Sequence, residues 1–232
     1  MTGLEPYSGA LIKFGGTLVI RSAPKGLELI KSWWTGKTIL IVGQPRAGKT
    51  TFLDYFHYGL WGDEKDTERT YFDLPSARFN VKVGRNETLQ ISVTTAVDTS
   101  GHMPAYQQAK NIFERKPHAL LIFMDLTLPL KPSSEWLAEL CRKFESHWRT
   151  SKSQRNRLKS IILVLNKKDK VDAKTITSRK RVFQKIIDAE LKDARGKMLD
   201  DIAIIPTAMV ENPDKTKSAD DLIAHLAKSL IR

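Results

Sequence analysis

The chain has 232 residues and carries 38 Lys plus Arg against 26 Asp plus Glu, a formal net charge of +12. Its surface is therefore positive overall, and anionic partners of every kind stay in view. A hydrophobic share of 41% is too rich for a disordered basic tail, and this length buries roughly 70 to 75% of the unfolded chain's surface. The single cysteine, Cys141, excludes an intramolecular disulfide framework and a Cys-based zinc site, and no apolar run of about 18 residues is present to span a bilayer.

Residues 1–36 read as a hinged lead-in rather than a domain, because Pro6, Gly9, Gly15, Gly16, Pro24 and Gly26 interrupt its short apolar patches. The patches are too short for the centre of a secretory signal, and Thr2 stands where N-myristoylation requires glycine. Leu27, Leu29, Ile30, Trp33 and Trp34 recur at near-helical spacing. They predict an amphipathic turn or two that packs on the following domain or meets a membrane or partner surface.

From Lys37 onward strand-like and helix-like segments alternate, forming one domain over 37–232. The pattern predicts a strand at 38–42, a helix at 50–60, a polar loop at 61–69 and two strands at 77–83 and 88–97. Gly84, Arg85, Asn86 and Glu87 join the last two as an antiparallel hairpin. A helix follows at 104–115, a buried strand at 118–125, and a helix at 134–150 started by Ser133 or Ser134. Then come a polar stretch at 150–159, a strand at 160–165, a helix at 178–194, a strand at 202–205 and a last helix at 219–231. This order predicts an α/β three-layer fold: a six-stranded, mostly parallel sheet with one antiparallel strand, flanked by five helices.

Between the first of these strands and the first helix lies Gly43-Gln44-Pro45-Arg46-Ala47-Gly48-Lys49-Thr50. It fits G-x-x-x-x-G-K-[ST] in the strand-loop-helix context that this phosphate-binding motif requires. Backbone N–H groups of the curled loop and the helix N-terminus attract phosphate oxygens, Lys49 reaches the outer phosphates, and the Thr50 hydroxyl ligates Mg²⁺. At the end of the third strand, Asp98-Thr99-Ser100-Gly101 places a carboxylate that can hold Mg²⁺ through water and a glycine N–H that can sense a terminal phosphate. The strand at 160–165 runs into Asn166-Lys167-Lys168-Asp169. There the Asp169 carboxylate can accept both N1–H and N2–H of guanine, whereas adenine opposes it with an acceptor. The Lys167 stem can cover the base, and Asn166 can tie this loop to the phosphate loop.

Together with Thr207-Ala208-Met209, these strings stand in the order and at spacings of the Ras-like and Arf-like small GTPases, which 37–232 resembles. The resemblance implies a GTPase domain that binds GTP or GDP with Mg²⁺, hydrolyses GTP slowly and signals to effector and regulatory proteins as a switch. It implies nucleotide contacts from Gly43, Arg46, Ala47, Gly48, Lys49, Thr50, Thr51, Asp98, Gly101, Asn166, Lys167, Asp169, Thr207, Ala208 and Met209. Metal contacts fall to Thr50, Asp98 and a threonine between the first helix and the next strand, where Thr67 and Thr70 qualify and Thr70 lies nearer that strand. Catalysis falls to Lys49, Thr70 and His102, the last standing where many members carry a water-positioning Gln.

Departures are Met209 in place of a lysine, His102 in place of that Gln, and Pro45, which removes one N–H from the loop. Arg46 either leans over the phosphates or faces solvent. These features keep open a GTP-binding scaffold with negligible turnover, and an ATP-using P-loop protein is the further alternative.

Residues 151–200 hold 15 Lys or Arg and 6 Asp or Glu, so +9 of the charge lies there. This basic face is either simply solvated or docks an acidic protein or anionic membrane. Without interleaved aromatics or a nucleic-acid motif it argues against nucleic acid. The expected location is cytoplasmic, or peripheral at a membrane. Trp136, Phe144 and Trp148 share a helix face and read as core or partner contacts, and no histidine has a partner at metal-binding spacing.

Overall fold

The apolar runs at 39–42, 119–124 and 161–165 stand side by side as parallel strands, each too apolar to tolerate solvent on either face. The computed structural model describes residues 12–14, 17–20, 37–58, 77–83, 87–98, 103–197, 202–209, 218–219, 221–223, 225–226 and 229–230. Its strands are β1 Ile12–Phe14, β2 Thr17–Ile20, β3 Lys37–Gly43, β4 Ala77–Val83, β5 Glu87–Asp98, β6 Ala119–Asp125, β7 Ser160–Asn166 and β8 Ala203–Pro206. They form one sheet in the order β1-β2-β4-β5-β3-β6-β7-β8. The helices are α1 Lys49–Tyr58, α2 Ala105–Arg115, α3 Leu130–Thr150, α4 Lys152–Arg157, α5 Ala173–Glu190 and α6 Lys192–Lys197, with a 3-10 turn at Lys168–Lys170. Further helical residues occur at 218–219, 221–223, 225–226 and 229–230.

The expected six strands with one antiparallel member and five helices are overturned. Among the described residues the sheet has eight strands, with two antiparallel pairs, β1 with β2 and β4 with β5, and an all-parallel block of five, β5, β3, β6, β7 and β8. The extra strands come from the glycine-interrupted segment before Lys37, where β2 pairs in parallel with β4. Apolar patches only three or four residues long carry little periodicity, and sheet pairing rather than local pattern makes them strands. The extra helices are α4, inside the stretch expected to be polar loop, and α6, split from α5 at Leu191. Helix α5 also starts five residues before its expected position. The Asp172 carboxylate caps it by accepting the Thr175 N–H at 2.6 Å, a bond that holds this carboxyl below its usual range. Helix α3 starts at Leu130 rather than at 134, because Pro132 falls within the first turn, where a missing N–H costs nothing. The amphipathic segment around Leu27 to Trp34, the loop at 61–69 and the turn residues 84–86 lie outside the described residues.

Side chains alternate between two buried layers. Leu40, Val42, Leu120, Ile122, Leu163 and Leu165 join Ile112, Leu137, Phe144, Trp148, Phe183 and Ile187 of α2, α3 and α5 in one core. The intervening Ile39, Ile41, Leu121, Phe123, Ile162 and Val164 are equally buried, and Phe52 of α1 packs on Phe123 with ring centroids 5.6 Å apart. Helices thus cover both faces, and Phe144 and Trp148 are core residues with Trp136 partly buried beside them.

Burial, with smaller contributions from Glu190 and then Glu145, pushes the Cys141 thiol up from 9.0 to about 12. Between those values the unfolded chain gives up a proton that the folded chain retains, so this group's contribution to stability is present below pH 9.0 and is lost toward about 12. Cys141→Ala should flatten that part of the alkaline fall in stability. Urea midpoints of the two chains at several alkaline values check it, and parallel curves would contradict it.

Candidate functional site

Because β3, β5, β6, β7 and β8 run parallel, Gly43, Asp98, Asp125, Asn166 and Pro206 all end at one edge of the sheet. The loop that follows β3 is shaped by two glycines at positive φ, Gly43 at 148° and Gly48 at 86°. A Cβ on Gly43 would lie 2.3 Å from the Phe123 carbonyl oxygen, and one on Gly48 would lie 2.2 Å from Asn166 Nδ2. Both positions need glycine because another part of the site occupies the space. Arg46 also adopts positive φ, 55°, and is exposed.

Helix α1 opens at Lys49, so its N-terminus, the positive end of its dipole, faces the loop. The buried Lys49 ammonium donates to the Gln44 carbonyl at 2.8 Å and to that of Gly43 at 3.4 Å. Thr50 and Thr51 follow it, half-buried, in the first turn.

Asn166 is the junction of the site. Its Nδ2 donates to the Ala47 carbonyl at 2.8 Å. Its Oδ1 accepts from the Met209 N–H at 3.1 Å and from the Thr207 hydroxyl at 3.3 Å. One buried amide therefore joins the three separate strings. The Thr207 carbonyl further accepts from the Lys168 N–H at 3.0 Å, and the Thr207 N–H donates to the Leu165 carbonyl at 2.8 Å. Ala208 and Met209 are buried beside them. Lys167 is held at φ 64°, a left-handed conformation that costs a non-glycine residue on the order of 1 kcal/mol. Asp169 is exposed on the 3-10 turn.

Asp98 is the last residue of β5 and pairs in register with Ile41, which brings its backbone to the same edge. Thr67, Thr70, Gly101 and His102 lie outside the described residues. Among the described residues, no group of three or more His, Cys, Asp or Glu is arranged to hold a metal ion.

Four residues of the site carry no motif. Gln44 occupies a variable position of the Gly43–Thr50 motif, yet it is buried; its Nε2 donates to Ser133 Oγ at 3.0 Å and its Oε1 accepts from the Asp125 N–H at 3.0 Å. Gln108 of α2 is fully buried; its Oε1 accepts from the Gly43 N–H at 2.8 Å while its Nε2 donates to the Met103 carbonyl at 2.8 Å. Asp125 accepts from the Lys167 ammonium through Oδ2, and from the Thr127 N–H and hydroxyl through Oδ1 at 2.8 and 2.6 Å. The readable signal was a charged residue closing the apolar run at 119–124; the two glutamines and Ser133 have none, since their partners lie 65 to 89 residues away.

No protein-family model and no curated protein matches the chain. Solved structures do. The translation elongation factor SelB from Methanococcus maripaludis, in complex with the GTP analogue GppNHp, superposes with TM-score 0.51 at 18% identity, over 85% of this chain and 34% of that one. A bacterial selenocysteine-specific elongation factor, EF-Sec, does so with 0.52 at 17% identity, over 84% of this chain and 28% of that one. The apo form of the Methanococcus maripaludis SelB gives 0.50 at 19% identity, over 85% and 34%. At these identities the likeness is one of fold alone. The chain spans about a third or less of their length. Among the described residues no helix is long and apolar enough to cross a membrane.

Proposed function

We propose that this protein binds guanine nucleotides and hydrolyses GTP slowly, acting as a switch read by partner proteins in the manner of the Ras-like and Arf-like GTPases. The observation that carries the reading is the convergence on Asn166: the Gly43–Thr50 loop, the Asn166–Asp169 turn and the Thr207-Ala208-Met209 segment are joined at one sheet edge by a single side chain. A ligand that needs phosphate and base contacts at fixed separation would make use of all three at once.

The residues fit a phosphate chain with its Mg²⁺. Gly43 and Gly48 let the loop close against Phe123 and Asn166, α1 presents its N-terminus, and Lys49 sits on loop carbonyls from which its ammonium can move to phosphate oxygens. Thr50 and Asp98 would hold the cation, with Thr70 or Thr67 completing the set. Mg²⁺ when bound neutralises charge on the phosphates. The Ala208 N–H and the Asp169 carboxylate select guanine, Lys167 covers the base, and His102 orients water for attack while Gly101 senses the terminal phosphate. Pro45, which lacks an N–H to give the phosphates, favours slow turnover and, at its limit, a scaffold that binds GTP without hydrolysing it. Phosphate release from GTP compared between the wild type and His102→Ala separates the two, since release at the buffer rate with GTP still bound leaves only the scaffold.

Asp169→Asn should lower GDP affinity by about 100-fold or more and raise the relative affinity for xanthosine diphosphate, because the amide can donate to the oxygen replacing the guanine amino group. Titration of both nucleotides reads this directly, and an unchanged guanine preference would remove Asp169 from the base site. Lys174, Lys180, Arg181 and Lys185 are exposed along α5. This basic ridge offers a docking face to an acidic protein or anionic membrane, in a protein working in the cytoplasm or at a membrane surface.

A further inference from the structure

The Asp125 carboxylate is buried at the end of β6, where an unpaired charge would be costly. Everything around it fixes its position. Its backbone N–H is held by Gln44 Oε1 of the phosphate loop, and Gln44 is itself anchored on Ser133 of α3. Its Oδ1 is gripped twice by Thr127. That leaves Oδ2 aimed at the Lys167 ammonium, at a residue whose backbone is in the left-handed region. Register places Asp125 directly opposite Asn166, so carboxylate and base loop are neighbours across two paired strands. Arg179 of α5 also feels the Asp125 charge, although burial is the larger influence on its guanidinium.

A long lysine stem has many rotamers, and fixing one costs on the order of 1 to 2 kcal/mol. A stem that is to lie flat against a base must be held at its far end. We infer that Asp125 is a positioning residue for nucleotide binding: it clamps Lys167 so that the stem is already in place when the base arrives. Through Gln44 it also sets the distance between phosphate loop and base loop. The inference rests on the proposed nucleotide site and adds to it a residue that touches no nucleotide.

A double-mutant cycle on the full chain tests it, with GDP affinity measured for wild type, Asp125→Asn, Lys167→Gln and the pair. Each single change should weaken GDP by about 10- to 100-fold, the range for losing a charge-assisted hydrogen bond. The pair should lose little more than the worse single variant, since both remove one clamp. Asp125→Asn combined with Thr50→Ala, a change at the phosphate end, should instead multiply the two losses. If Asp125→Asn fails to fold, Thr127→Val takes its place in the cycle, keeping the charge and the backbone bond to Oδ1 but removing the hydroxyl bond, with a loss of about 3-fold that vanishes in the Lys167→Gln background. Multiplicative losses with Lys167→Gln, or unchanged GDP binding, would overturn the inference. A wild-type chain that binds no GDP would instead remove the nucleotide site on which it rests.

Discussion

Asn166→Ala should cost about 3 to 5 kcal/mol of stability and lower nucleotide affinity by about 100-fold or more. The side chain is 2% exposed and makes one donor and two acceptor bonds, to Ala47, Met209 and Thr207. Truncation leaves the Ala47 carbonyl and Met209 N–H without these partners in a buried place, at about 1 to 3 kcal/mol each. It also opens a void against Gly48, whose backbone approaches Asn166 Nδ2 so closely that no Cβ fits between them. Asn166→Asp separates the contributions. It keeps both acceptor bonds but sets a carboxylate against the Ala47 carbonyl, so it should lose affinity nearly as strongly while preserving the contact to Met209. Urea midpoints and GDP titrations of both variants check this, and a loss below about 1 kcal/mol for the alanine variant would contradict the role given to Asn166.

Gly43→Ala should have the larger structural effect, costing more than about 5 kcal/mol and so leaving no stable fold. The added Cβ would meet the oxygen, nitrogen and carbon of Phe123 at 2.3, 2.8 and 2.9 Å, all backbone atoms of β6. Those atoms cannot yield without breaking the pairing of Gly43 with Phe123, where the Gln44 N–H also donates to the Phe123 carbonyl at 3.1 Å. Gly48→Ala provides the contrast. Its obstacle is the end of the Asn166 side chain, which can swing aside at the cost of its bond to Ala47. The Gly48 variant should therefore fold, with reduced stability and lost nucleotide binding, while the Gly43 variant should not reach a stable fold. Thermal unfolding of the two side by side reads the difference, and equal melting temperatures would contradict it.

The backbone frame of the candidate site was legible because it is local. Eight consecutive residues, Gly43 to Thr50, build the loop after β3, and four, Asn166 to Asp169, build the turn after β7, so spacing suffices to put both at one sheet edge. Its supports were not legible. Gln44, Gln108 and Ser133 act through partners in other elements, and nothing in a glutamine's neighbours tells whether its amide will satisfy a loop N–H 65 residues away. In the fold, the long apolar runs that became β3, β6 and β7 were plain, because burial on both faces demands an unbroken apolar string. Strands β1 and β2 were hidden, since three or four residues interrupted by glycine look like lead-in until a neighbouring strand pairs with them. The start of α5 is the instructive miss. Asp172-Ala173-Lys174-Thr175 holds a capping signal, but the apolar periodicity begins only further on, and the cap rather than the periodicity decides where the helix opens.

The central claim is that this sheet edge holds a guanine nucleotide. Its most direct test is displacement of labelled GDP from the full chain, with Mg²⁺, by unlabelled GTP, GDP or ATP. Unlabelled GTP and GDP should compete at similar concentrations, while ATP should fail at about 1,000-fold higher concentration, because adenine sets an acceptor against the Asp169 carboxylate. Displacement by ATP as readily as by GTP would contradict the account.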